Sequence, residues 1–212
     1  LFLGHGSPMN AIEENIFVDG WRNIGKTIPK PNAIICISAH WETKGTKVTA
    51  VQKPKTIHDF YGFPQALFDV EYPAPGSPEL ASEVKNLIKT SDIDLDKMWG
   101  FDYGSWSVIK FLYPNADIPM IELSLDVYKT PQQHYALAKE LSALRRKGIL
   151  IVGSGNVVHN LRALNWNEPE AGYDWAYEVN DTFKNIVTSG DHQQLFNFVQ
   201  KGTAYNLAVP SM

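Results

Sequence analysis

The sequence is poor in cysteine and in basic charge. Its single cysteine, Cys36, lies in an apolar run, which excludes a disulfide framework and a cysteine-based metal site. Such a chain suits a reducing compartment, and we expect it to be cytoplasmic. The 19 Lys and Arg residues are outnumbered by 23 Asp and Glu, for a formal net charge of -4. This balance predicts no nucleic-acid partner.

Long hydrophobic runs and two common catalytic motifs are also absent. The sequence has no stretch of about 18 apolar residues, so we expect no membrane partner. It contains neither a G-x-x-x-x-G-K-[ST] nor a G-x-S-x-G motif, which speaks against a P-loop NTPase and an α/β-hydrolase. The 212 residues are 44% hydrophobic, which predicts a single domain over residues 1–212. Because the chain begins without Met in a strand pattern, we expect residues to be missing before Leu1.

The segment AIICISAHW, Ala33 to Trp41, is the clearest structural signal in the sequence. Its apolar, β-branched beginning is typical of a strand buried on both faces of a parallel sheet. Its polar end places His40 where the strand leaves the sheet, and ligands of open α/β folds bind at that edge. A histidine there could serve chemistry, or could pack beside Trp41 and bond to a loop carbonyl.

Two further apolar strands end in the same way. Leu1 to Leu3 precede GHGSPMN, which contains His5, and residues 148–152 precede GSGNVVHN, which contains His159. We expect a helix capped by Ser154 or Asn156 to carry His159. If the first and central strands are neighbours, His5 and His40 face one crevice, where neutral imidazoles could hold Zn or Fe. The pattern predicts an α/β fold with a central, mostly parallel sheet flanked by helices.

An aromatic segment follows the central strand. The sequence TIHDFYGFP contains His58, Phe60 and Tyr61, and aromatic loops can form the wall of a flat ring-binding pocket. They can also simply cover the edge of a core. A second segment, WGFDYGSW over residues 99–106, is predicted to be a glycine-punctuated loop that enters a short helix.

Five motifs, in this order, resemble the class III extradiol ring-cleavage dioxygenases and, within them, the bacterial and plant DOPA 4,5-dioxygenase branch. They are GHGSPM, SAHW, TIHDFYGFPQALFDVEYPAPGSPELA, ADIPMIELSLD and GSGNVVHNLR. The resemblance implies the α/β fold of the catalytic subunits and a mononuclear non-haem Fe(II) site, in which Zn(II) is often found. It implies that His5 and His40 are metal ligands and that His159 is an acid/base group or a further ligand. It also implies a catechol-type substrate that is opened by O2.

Two features depart from the family pattern. The family has D-H-G-x-W where this chain has Asp102-Tyr103-Gly104-Ser105-Trp106. Tyr103 keeps a hydrogen-bonding hydroxyl, but with a pKa near 10 it is a poorer base at neutral pH. The family's last ligand is a histidine in a P-[ST]-x-H-Y stretch, and the chain stops at Met212, where that stretch begins. We therefore expect a missing C-terminal segment that bears this histidine.

Two other functions are compatible with these residues. A non-catalytic binding protein, resembling the Memo proteins, could use the same scaffold. A Zn-dependent hydrolase could use three histidines and a water equally well. The metal content and oxygen uptake with a catechol would discriminate among the three, and the oligomeric state is left open by the sequence.

Overall fold

The computed structural model describes residues 1–165, 168 and 171–210. The chain is organised as two compact units, residues 1–155 and residues 156–212. The prediction of a single catalytic domain stays a prediction. The expected ligand beyond Met212 lies outside the described residues.

The strands identified in the described residues all belong to the first unit. They are β1 (Phe2–Leu3), β2 (Ala33–Ser38), β3 (Glu42–Thr43), β4 (Thr46–Thr49), β5 (Ile93–Asp96), β6 (Met120–Glu122), β7 (Leu125–Asp126) and β8 (Ile149–Ser154). The α-helices of this unit are α1 (Ile16–Thr27), α2 (Gln65–Phe68), α3 (Pro78–Leu87), α4 (Tyr103–Leu112) and α5 (Pro131–Leu141). In the second unit the α-helices are α6 (Asp174–Ser189) and α7 (Thr203–Ala208). None of the helices in the described residues is long and apolar enough to cross a membrane.

The central sheet has the strand order β1-β8-β2-β6, and every pair in it is parallel. Strand β2 pairs with β8 over its whole length, from Ala33 opposite Ile149 to Ser38 opposite Ser154. Two short parallel pairs, β3 with β7 and β4 with β5, lie outside this sheet. The predicted α/β fold with a central, mostly parallel sheet is confirmed.

Successive side chains of β2 point to opposite faces of the sheet and enter two separate cores. Ile34 and Cys36 belong to a core that includes residues of α1 and α4. Ala33 and Ile35 belong to a core that includes residues of α3 and α5. The continuous apolar run of β2 therefore reflects a sheet that is covered by helices on both faces.

Several helix ends follow from local side-chain chemistry. Ser77 accepts a hydrogen bond from the backbone N–H of Leu80 and Pro78 occupies the first turn of α3, as the sequence pattern SPEL indicates. At the start of α5, Thr130 and Gln133 form a reciprocal capping box. These interactions satisfy backbone donors that have no partner within the helix.

Two local predictions are wrong. Residues 103–106, predicted to lie in a loop, form the first turn of α4, because the carboxylate of Asp102 accepts a hydrogen bond from Ser105 N and begins the helix there. Residues 156–160, all within the described part of the chain, form no helix that could carry His159. The side chain of Ser154 does not cap a helix, since its hydroxyl is used in buried contacts within the first unit.

Candidate active site

His5 lies in the tight turn that follows β1, and it is 3% exposed. Gly6 has a positive φ of 63°, a conformation that glycine adopts at little cost. The side-chain amide of Asn10 donates to the carbonyl oxygen of His5 at 3.1 Å. The backbone turn thus holds the imidazole inside the protein, at the carboxyl end of the sheet.

The hydrogen bonds around His5 define its tautomer. The hydroxyl of Ser154 donates to the carbonyl oxygen of Gly104, which can only accept. Because a serine hydroxyl has one hydrogen, its oxygen must accept in the 3.0 Å contact with Nδ1 of His5. His5 therefore carries its proton on Nδ1 and a lone pair on Nε2, which is the form that a metal ligand requires.

His40 follows β2 and is tied to Asp59. Its backbone N–H donates to the hydroxyl oxygen of Ser38 at 3.1 Å, and its Nδ1 lies 2.5 Å from Oδ2 of Asp59. Burial favours the neutral imidazole, but the hydrogen bond and charge of Asp59, together with the charge of Asp102, outweigh it and raise the pKa of His40. In the pair, His40 donates its Nδ1 proton to the carboxylate.

The rings of His5, His40 and Tyr103 pack together. Their centroids are 5.0 Å apart between His5 and His40, 5.3 Å between His5 and Tyr103, and 5.2 Å between His40 and Tyr103. The strands β1 and β2 are not neighbours, because β8 lies between them. The two histidines meet because the segments after the strands converge at the same edge, and this point corrects the assumption of neighbouring strands.

Tyr103 is buried between the two histidines and anchors the turn that contains His5. Its hydroxyl donates to the carbonyl oxygen of Gly6 at 3.0 Å, and its ring is 2% exposed. Burial, with the nearby charge of Asp59, raises the pKa of Tyr103 well above that of a free phenol. The side chain is therefore a hydrogen-bond donor at neutral pH, and it is not a base there.

Aromatic residues surround one side of this group. The ring of Phe60 lies 5.7 Å from that of Tyr103, and the ring of His58 lies 5.8 Å from that of Phe60. His58 Nε2 donates to the carbonyl oxygen of Val70 at 2.9 Å, which fixes the ring. Tyr61, the remaining predicted substrate-binding residue, is 91% exposed.

Sequence reasoning missed a buried carboxyl pair beneath the site. Glu122, on β6, accepts from Asp102 N at 2.9 Å and from Trp99 Nε1 at 3.1 Å, and the hydroxyl of Ser105 also contacts it. Glu122 and Asp102 are both fully buried. Burial and the neighbouring charge of Asp102 raise the pKa of Glu122 well above its usual range. The motif ADIPMIELSLD contains Glu122, but its apolar surroundings gave no signal of a buried network.

His159 belongs to the second unit. Its side chain is exposed, and its backbone N–H donates to the carbonyl oxygen of Ala208 at 2.7 Å. Of the three predicted ligands, the structure of the first unit brings His5 and His40 together. Nowhere in the described part of the chain do three or more His, Cys, Asp or Glu residues form a group that could hold a metal. The roles assigned to His5, His40, Tyr103 and His159 stay predictions.

The paired imidazoles lie at the carboxyl edge of a parallel sheet, where open α/β folds bind their ligands, and this marks the edge as the candidate active site. The family model described as the catalytic LigB subunit of aromatic ring-opening dioxygenase matches residues 1–210. The chain belongs to this family of dioxygenases. The predicted family and the prediction of an enzyme are confirmed.

Individual relatives agree with this assignment. The chain is 50% identical, over 97% of its length and 78% of the relative, to the 4,5-DOPA dioxygenase extradiol of Escherichia coli K12. It is 36% identical, over 99% of its length and 80% of the relative, to the protein of that name from Beta vulgaris. A crystal structure of an uncharacterized E. coli K12 protein superposes with a TM-score of 0.84 at 42% identity, covering 99% of this chain and 82% of the other.

Proposed function

We propose that this protein is a metal-dependent extradiol dioxygenase that uses O2 to open the ring of a catechol, with DOPA as the model substrate. The observation that carries the proposal is the pairing of His5 with His40, each with its Nδ1 engaged by a protein partner. That arrangement leaves each Nε2 with the lone pair that coordination requires. The names of the E. coli and plant relatives support the choice of DOPA.

The donor set fits a divalent first-row metal. Imidazole nitrogens suit both Fe and Zn, and we assign His5 and His40 as ligands, with His159 as the third candidate. Fe(II) is the metal expected for activity, and Zn(II) is an alternative occupant. When bound, the metal would supply a Lewis acid that holds both catechol oxygens and places O2 beside the ring.

The protein residues have separate roles in this proposal. If His159 is not a ligand, its alternative role is to take the second catechol proton as a base and to return a proton when the ring opens. Tyr103 stays protonated and holds the turn of His5 through Gly6. Phe60, Tyr61 and His58 provide the aromatic wall against which the ring of the substrate packs.

The test is Fe(II)-dependent oxygen uptake with DOPA, recorded with an oxygen electrode after anaerobic loading of the purified protein. We expect stoichiometric consumption of O2 and DOPA, and formation of a ring-opened semialdehyde seen by its absorbance. The His40→Ala variant should lose both metal and activity. The matched control is His192, a partly exposed histidine of the second unit that has no role in the proposed site, and His192→Ala should retain both metal and activity.

Other results would replace the proposal. Tight Zn(II) binding with ester or amide hydrolysis and no oxygen uptake would favour a hydrolase. Failure of the protein to bind Fe(II) or Zn(II) under any loading condition would favour a binding protein on the same scaffold.

A further inference from the structure

Asp59 joins two parts of the candidate active site with its two carboxylate oxygens. Oδ2 lies 2.5 Å from Nδ1 of His40, and Oδ1 accepts the backbone N–H of Tyr103 at 2.8 Å. The side chains of His40 and Asp59 are 27% and 23% exposed, so both are partly buried. Asp59 lies within the aromatic segment TIHDFYGFP. The sequence alone assigns it no role.

We propose that Asp59 is a positioning residue that keeps the proton of His40 on Nδ1 and so reserves Nε2 of His40 as a metal ligand. This inference rests on the proposed function, because a defined tautomer matters most if His40 coordinates a metal. A ligating imidazole whose other N–H is held by a carboxylate has a fixed tautomer and ring orientation.

The backbone N–H of Tyr103 makes the role of Asp59 testable by one substitution. In Asp59→Asn, the N–H of Tyr103 still needs an acceptor, so the amide oxygen must take the place of Oδ1. The amide NH2 group then replaces Oδ2 and donates to Nδ1 of His40. This donation forces the proton of His40 onto Nε2, where it blocks coordination. The Asp59→Ala variant imposes no tautomer and should be less harmful than the nearly isosteric Asn.

The experiment combines NMR with metal binding. Nitrogen-15 spectra of the histidine side chains, recorded at alkaline pH so that the imidazolium does not contribute, report which ring nitrogen carries the proton. We expect the Nδ1–H form of His40 in the wild type, the Nε2–H form in Asp59→Asn and a mixture in Asp59→Ala. Calorimetric titration with Zn(II) alone should show roughly a 100-fold loss of affinity for Asp59→Asn and about 10-fold for Asp59→Ala.

The matched control is Asp69→Asn, because Asp69 is an exposed carboxylate that accepts from the side chain of Gln65 in the same region. It should change neither the tautomer of His40 nor the Zn(II) affinity. The inference is overturned if Asp59→Asn keeps the Nδ1–H form, or if the wild type binds Zn(II) through His40 and Asp59→Asn binds it equally tightly. Should Asp59→Asn fail to fold, as judged by circular dichroism, a pure Nδ1–H form in Asp59→Ala overturns it and the mixture upholds it.

Failure of the proposed function has a different signature. In that case Zn(II) would leave the ring resonances of His5 and His40 in the wild type unchanged. A change of tautomer in Asp59→Asn would still show that Asp59 sets the position of the proton on His40. The NMR and calorimetric readouts therefore separate the role of Asp59 from the presence of a metal at the site.

Discussion

Ser154 and His5 form a buried hydrogen bond in which the serine oxygen accepts the Nδ1 proton of the imidazole at 3.0 Å. Ser154 ends β8 and His5 follows β1, and these strands are adjacent and parallel. The same hydroxyl donates to the carbonyl oxygen of Gly104 in α4. One serine therefore sets the tautomer of a proposed ligand and joins the sheet to the helix that carries Tyr103.

Replacing Ser154 by Ala should weaken both stability and metal binding. Nδ1 of His5 would lose its acceptor and Gly104 its donor, which should lower the free energy of unfolding by about 1–3 kcal/mol. Zn(II) affinity should fall about 10-fold, because the tautomer of His5 is no longer enforced. Urea denaturation and calorimetric titration measure the two effects. Ser142→Ala, at an exposed serine that bonds to Lys139, is the control, and a Ser154→Ala variant as stable as that control would contradict the prediction.

Replacing Tyr103 by His should raise the rate of oxygen uptake with DOPA. Imidazole is a base near neutral pH, whereas the pKa of the buried Tyr103 is raised by burial. The comparison variant is Tyr103→Phe, which removes the bond to Gly6 without adding a base and should lower the free energy of unfolding by about 1 kcal/mol. Equal or slower oxygen uptake by Tyr103→His would show that the anchoring of the His5 turn outweighs the gain of a base.

Replacing Tyr61 by Ala should raise the KM for a catechol and leave Zn(II) affinity unchanged. The ring of Tyr61 is 91% exposed in the absence of substrate, and covering a bound ring would remove apolar surface from water. Steady-state oxygen uptake gives the KM. Tyr128, which is 70% exposed, supplies the control variant Tyr128→Ala, and an unchanged KM for Tyr61→Ala would remove Tyr61 from the substrate-binding wall.

The buried Glu122 should make stability depend on pH. Its pKa is raised by burial and by Asp102, so the folded protein keeps a proton that the unfolded chain releases above its usual pKa of 4.5. This contribution to stability is complete below the unfolded pKa and is lost as pH rises through the folded pKa.

The free energy of unfolding should therefore fall as pH rises from the usual carboxyl pKa of 4.5 toward neutral pH, and it should fall less steeply in Glu122→Gln. Urea denaturation across this range gives the slope. The exposed Glu79 provides the control variant Glu79→Gln, whose slope should match that of the wild type. Identical slopes for wild type and Glu122→Gln would mean that Glu122 titrates normally.

Several strands and helix ends could be predicted because the sequence patterns that specify them are local. The apolar run before His40 and the capping sequence SPEL act through neighbouring residues, so they correspond to β2 and the start of α3. The same reasoning failed at residues 103–106, because the glycines there suggested a loop whereas the cap at Asp102 begins a helix. It failed again at Ser154, whose hydroxyl has distant partners that compete with helix capping.

The candidate site also has a part that the sequence predicts and a part that only the tertiary structure shows. The positions of His5 and His40 at strand ends are visible in the sequence, because hydrophobic runs and the glycine-rich turns after them are continuous along the chain. Their partners are not visible, since Asp59 is 19 residues from His40 and Ser154 is 149 residues from His5. Folding brings these groups together through strand order and the start of α4. A hydrogen bond depends on distance and direction in space, and these are properties of the packed sheet and helices that no local pattern encodes.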